Sequence, residues 1–121
     1  MKNISLKRVY DPPYLADGYR ILVDRLWPRG FTKEKLQADL WLKDIAPSIA
    51  LVKWYHHNRP LWEEFKARYT AELDLQPQAV AKLLDLAAKG PVTLLFAARD
   101  PEHNQAVVLL DYLRMKLTDA V

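Results

Sequence analysis

A chain of 121 residues, half of them hydrophobic, is long enough for one domain with its own core, burying roughly two-thirds of its unfolded surface. It contains no cysteine, which excludes disulfides, thiolate nucleophiles and cysteine-ligated zinc. The net charge of +3 is uneven: residues 1–35 hold eight Lys/Arg against four Asp/Glu, and residues 36–121 hold ten against eleven, so an anion pocket or a nucleic-acid face belongs, beside plain solvated surface, to the first third.

Residues 1–5 lack the apolar stretch of a signal peptide, and no segment approaches the roughly 20 apolar residues of a membrane span, so a cytoplasmic domain over residues 1–121 is expected. Ile4 to Tyr10 alternates apolar and polar residues, as a half-exposed strand does, and Asp11-Pro12-Pro13 stops it. Asp17-Gly18 is a turn signal, and Tyr19 to Val23 reads as a buried strand. Leu40-Trp41-Leu42 fits either a short third strand or a helical turn. Ser48 to His57 reads as a helix carrying Ile49, Val52 and Trp54, and Pro60 opens the next. That helix aligns Trp62, Phe65, Tyr69 and Leu73 in one stripe, with Glu64 and Arg68 spaced for an ion pair. Gln78 to Ala88 places Val80, Leu83, Leu84 and Ala87 on one face before the stop at Gly90-Pro91. Val92 to Ala98 has the continuous apolar pattern of a central strand. The last helix is expected to start at Asp100-Pro101 and to bury Ala106, Leu110, Leu113 and Leu117. This order predicts an α/β fold: a single three-layer domain with a small, mainly parallel sheet flanked by helices.

Charged residues follow three of the apolar runs: Asp24-Arg25, Lys43-Asp44 and Arg99-Asp100. If the strands are parallel neighbours, these groups converge on one rim, where ligands bind in open α/β sheets. Asp24, Asp44 and His103 are the candidate acid–base groups, and Arg8, Arg25, Trp27, Arg29, Arg99, Asp100 and Asn104 the candidate contacts to an anion. Each has a structural alternative: Asp100 as a helix cap, Asp24 with Arg25 as an ion pair, His103 as an ordinary residue of a first helical turn. His56 and His57 are adjacent and have no partner four residues on, so metal ligation is not expected, and with no phosphate loop or dinucleotide fingerprint in the sequence no other cofactor is expected.

The segments Arg8-Val9-Tyr10-Asp11, Asp17 to Gly30, Ala46-Pro47-Ser48, Trp62-Glu63-Glu64-Phe65 and Asp100 to Ala106 resemble the YeaO-like branch of the domain of unknown function 488 (DUF488) family along nearly the whole chain. The resemblance implies a compact α/β domain with Arg25, Arg29, Asp100 and His103 among its signature positions, and it carries no established activity. The wider family often has Cys-His-Arg after the start of the last helix. Here Asn104-Gln105-Ala106 stands instead, so no mechanism can run through that cysteine or arginine. Two functional readings follow. One is a water-using hydrolase or transferase acting on a small phosphorylated or nucleotide-like anion; the other is a non-catalytic nucleotide- or nucleic-acid-binding regulatory module. A small anionic partner fits both, a nucleic acid the second, and a monomer or a homodimer either.

Overall fold

The computed structural model describes residues 3–119, apart from the side chain of Asp119. The apolar runs become β1 (Ile4–Arg8), β2 (Tyr19–Leu22), β3 (Leu40–Trp41) and β4 (Val92–Phe96), in one sheet ordered β1-β4-β2-β3 with every neighbouring pair parallel. All five residues of β4 are buried, as a strand covered on both faces requires, and β2 pairs directly with it, Ile21 opposite Leu94 and Leu22 opposite Leu95. Leu40-Trp41 resolves as a strand, and the helical turn follows it at Lys43–Ile45.

The helices are α1 (Lys33–Leu36), α2 (Ile49–His56), α3 (Trp62–Asp74), α4 (Pro77–Lys89) and α5 (Gln105–Asp119). The sequence reading has no helix at α1, and three of the others depart from it. In α2 the Ser48 hydroxyl caps the helix by accepting from Leu51 N, but the buried residues are Leu51 and Tyr55, while Ile49 and Val52 are 59% and 49% exposed. The rotation follows from Tyr55, whose ring stacks on Phe65 at 4.4 Å and turns its side of the helix inward. Helix α3 starts two residues after Pro60, because Leu61 N donates to Asn58 O and closes a turn between the two helices in which Pro60 lies. Helix α5 starts at Gln105 instead of Asp100. Asp100 Oδ1 accepts from Glu102 N and His103 N, forming a local turn, and Asn104 Oδ1 takes over the cap by accepting from Val107 N. Its buried set is Ala106, Val108, Leu109, Tyr112 and Leu113, with Leu110 and Leu117 only partly covered.

Phe65, Tyr69 and Leu73 of α3 are buried as their spacing requires, Trp62 is half-buried, and the Glu64–Arg68 ion pair forms on the surface. Helices α2 to α5 share one core cluster with the sheet face bearing Ile4, Ile21, Val92, Leu94 and Phe96. The opposite face, with Val9, Leu22 and Leu95, is covered by Leu36 of the single-turn α1 and by Trp27, Phe31 and Ala38 around it. The third layer is therefore mostly coil.

That coil layer is anchored by a buried ion cluster. Asp17 accepts from Lys7 Nζ at 2.8 Å, Arg20 Nη1 at 2.5 Å and Tyr14 N at 3.0 Å, and Arg20 also donates to the carbonyls of Leu36 and Gln37. Gly18 is obligatory beside it: its φ is +67°, and an added Cβ would lie 2.2 Å from the Pro91 carbonyl oxygen that accepts from Tyr19 N.

Candidate functional site

Because β2 and β4 are parallel and adjacent, the residues that follow them meet at one edge of the sheet, next to the N-terminus of α5. Asp24 is the centre of this meeting. Its Oδ2 accepts from Ala97 N at 2.9 Å, its Oδ1 accepts from Gln105 Nε2, and its backbone carbonyl accepts from Trp41 Nε1 at 2.8 Å. Burial raises the Asp24 carboxyl to about 6, with the bonds from Ala97 and Gln105 opposing the shift. Arg25 donates from Nε to Pro47 O and from Nη2 to Ala46 O, which clamps the 46–47 segment against the strand end.

These groups border a cavity of about 470 Å³. Its walls include Leu26, Trp27, Pro47, Ile49 and Val52, and Arg25 and Lys53 bring positive charge to it. Leu26 is 77% exposed, so together with Ile49 and Val52 it adds open apolar surface to the mouth. A second, smaller cavity of about 180 Å³ shares Pro47, Val52 and Gln105 with the first and continues to His56, Arg59 and His103. The two form one groove, apolar at the Trp27 end and basic at the His103 end. His103 is exposed, with its ring edge-on to Trp62, and its Nδ1 lies 3.0 Å from Asp100 Oδ2. The Glu102 N–H, and after it His103, holds the Asp100 carboxyl below its ordinary range.

Of the candidate residues, the fold thus brings Asp24, Arg25 and Trp27 to one half of the groove and His103 and Asn104 to the other, with Asp100 hydrogen-bonded to the latter two. Arg8, Arg29, Asp44 and Arg99 line neither half. Arg8 instead donates to Ala98 O, and Asp44 is exposed on the turn after β3. Sequence reasoning missed Gln105, Lys53, Arg59 and the groove role of Ile49, Val52 and His56. The available signal was an apolar surplus on α2, where Ile49 and Val52 add to the Leu51–Tyr55 face. Among the described residues no group of histidine, aspartate and glutamate side chains is arranged to hold a metal ion, and no helix is long and apolar enough to cross a membrane.

Residues 3–121 match the family described as the inactive DUF488-N3 subclade. The chain belongs to that subclade. It is 49% identical to the uncharacterized protein YeaO of Escherichia coli strain K12, over 93% of this chain and 97% of that one. It is 39% identical to uncharacterized proteins of Mycobacterium tuberculosis and Mycobacterium bovis, over 92% of this chain and 93% of theirs. No solved structure matches it. In this DUF488-N3 chain, two of the three residues standing where the wider family often has Cys-His-Arg are spent on structure: Asn104 caps α5 and Gln105 holds Asp24.

Because the folded-state Asp24 carboxyl is raised, its ionised form weakens the fold, and that penalty is fully present above about pH 6. It is relieved as the pH falls through 6 toward the unfolded value of 3.8. Asp24→Asn keeps an acceptor for Ala97 N, and the Gln105 amide can turn to pair with the new amide. The variant should be more stable than the parent at pH 8, by of order 2 kcal/mol, and the difference should vanish near pH 4. Urea midpoints at pH 4, 6 and 8 measure this, and parallel curves for the two proteins would contradict it.

Proposed function

We propose that this DUF488-N3 domain is a non-catalytic binding module whose groove takes a small, flat, anionic ligand of the nucleotide type. One observation carries the reading: the groove joins exposed apolar walls to basic side chains, while its own polar groups are already satisfied by one another. A site built to bind is mostly apolar with a few convergent polar groups. Ile49, Val52 and Trp27 offer surface to a planar ring, and Lys53, Arg59 and His103 stand along the same groove for a phosphate. Chemistry has less support. Both Asp24 oxygens accept hydrogen bonds, Asn104 serves as a cap, and the Ser48 hydroxyl is engaged by Glu72, so no activated nucleophile faces the groove. The family's description as inactive points the same way.

Calorimetric titration with nucleoside monophosphates, the parent nucleosides and inorganic phosphate tests this. The monophosphates should bind more tightly than either fragment and be recovered unchanged. Lys53→Glu, at an exposed position, should weaken them about tenfold, a change of roughly 1.4 kcal/mol, without moving the melting temperature. Turnover that Asp24→Asn abolishes would restore the enzyme reading, and equal affinity for Lys53→Glu would remove this groove as the site.

A further inference from the structure

We infer a second binding surface, for single-stranded nucleic acid, on the coil-covered side of the sheet. There, two pairs of aromatic rings lie along one path, with cations at their sides. The Arg8 guanidinium stands over the Tyr10 ring at 4.9 Å, Tyr10 meets Phe31 edge-on at 5.5 Å, and Lys35 Nζ is 6.0 Å from the Phe31 centroid. The path continues through the Phe31 carbonyl, which accepts from Trp27 Nε1 at 2.6 Å, to Trp41 at 5.4 Å from Trp27, and to Lys43 at 4.2 Å over Trp41. Tyr10 is 58% exposed, and Tyr14, with Lys7 Nζ over its ring at 4.1 Å, is 62% exposed. Packing does not account for rings this open.

Charge complementarity selects the occupant. Arg29 and Lys33 lie on the same 27–36 segment, both exposed and without an ion-pair partner among the described residues. Of the acids nearby, Asp17 is buried between Lys7 and Arg20, while Asp11, Glu34, Asp39 and Asp44 are exposed beside Arg8, Arg29, Lys33, Lys35 and Lys43, which leaves the surface with a small net positive charge. A single strand presents phosphates to such cations and base faces to such rings at once, and only unpaired bases offer their faces. An acidic protein would satisfy the cations and leave the rings unused. Of the path residues only Trp27 also lines the groove, so this surface stands or falls separately from the groove reading.

The test is fluorescence anisotropy with a labelled oligothymidylate of about 12 nucleotides, a duplex of equal length and an oligoglutamate, over a range of salt concentrations. The single strand should bind best, and its affinity should fall with salt at a log–log slope of about −0.7 for each phosphate neutralised. Tyr10→Ala should weaken it roughly 5- to 100-fold, Tyr10→Phe should leave it intact, and Lys35→Glu should weaken it and flatten the salt slope. Lys82→Ala, on α4, should bind like the parent. Failure to bind the oligothymidylate, equal binding of the duplex or the oligoglutamate, or parental affinity in a folded Tyr10→Ala variant would each overturn the inference.

Discussion

Phe65→Ala should destabilise the fold by about 3–5 kcal/mol and lower the melting temperature by roughly 10–20 °C. Phe65 is 3% exposed, and its ring lies at the middle of an aromatic column, 4.4 Å from Tyr55, 5.7 Å from Trp62 and 6.0 Å from Tyr69. Removing it loses the transfer free energy of the ring and leaves a cavity that these rigid neighbours close poorly. Tyr69 cannot move in to fill it, because its hydroxyl is fixed on Ile45 O at 2.6 Å. Tyr55, stacked on the same ring, belongs to α2, which walls the groove. Thermal unfolding followed by circular dichroism gives the stability change. A melting temperature within about 3 °C of the parent, less than 1 kcal/mol at this size, would mean that the column is not part of the core.

Arg20→Leu should cost a similar amount, about 3–5 kcal/mol, by a different mechanism. The Arg20 side chain is 5% exposed and holds three acceptors at once: Asp17, Leu36 O and Gln37 O. Leucine fills much of the volume but leaves the buried Leu36 carbonyl and the partly buried Gln37 carbonyl without this donor, and Asp17 with Lys7 and Tyr14 N alone. Burial by itself would raise the Asp17 carboxyl, and the bonds from Lys7, Tyr14 N and Arg20 overcome it, so the folded value lies below 3.8. A depressed carboxyl contributes stability above its unfolded value and loses it as the pH falls through the folded one. The parent should therefore lose stability more steeply below about pH 4 than Arg20→Leu does. Urea midpoints from pH 2 to 5 compare the two slopes, and equal slopes would show that Arg20 does not stabilise the ionised form.

What the sequence determined by itself was local or periodic. The buried run of β4, the Phe65–Tyr69–Leu73 stripe and the stop at Gly90-Pro91 depend on spacing and on cap chemistry within a few residues, and these appear in the fold as read. The central position of the Ile21–Val23 and Val92–Ala98 runs was legible for a related reason, since runs without an exposed face must lie inside a covered sheet, but their direct parallel pairing was not. Tertiary structure decided the rest. The rotation of α2 was set by Tyr55 stacking on a residue of another helix, which moved Ile49 and Val52 from core to groove wall. The start of α5 was set by a contest between two nearby caps, Asp100 and Asn104, either of which is acceptable to local rules. The meeting of Asp24 with Gln105, 81 positions apart, depends on strand order, and no local pattern encodes which side chains two distant loops bring within hydrogen-bonding distance.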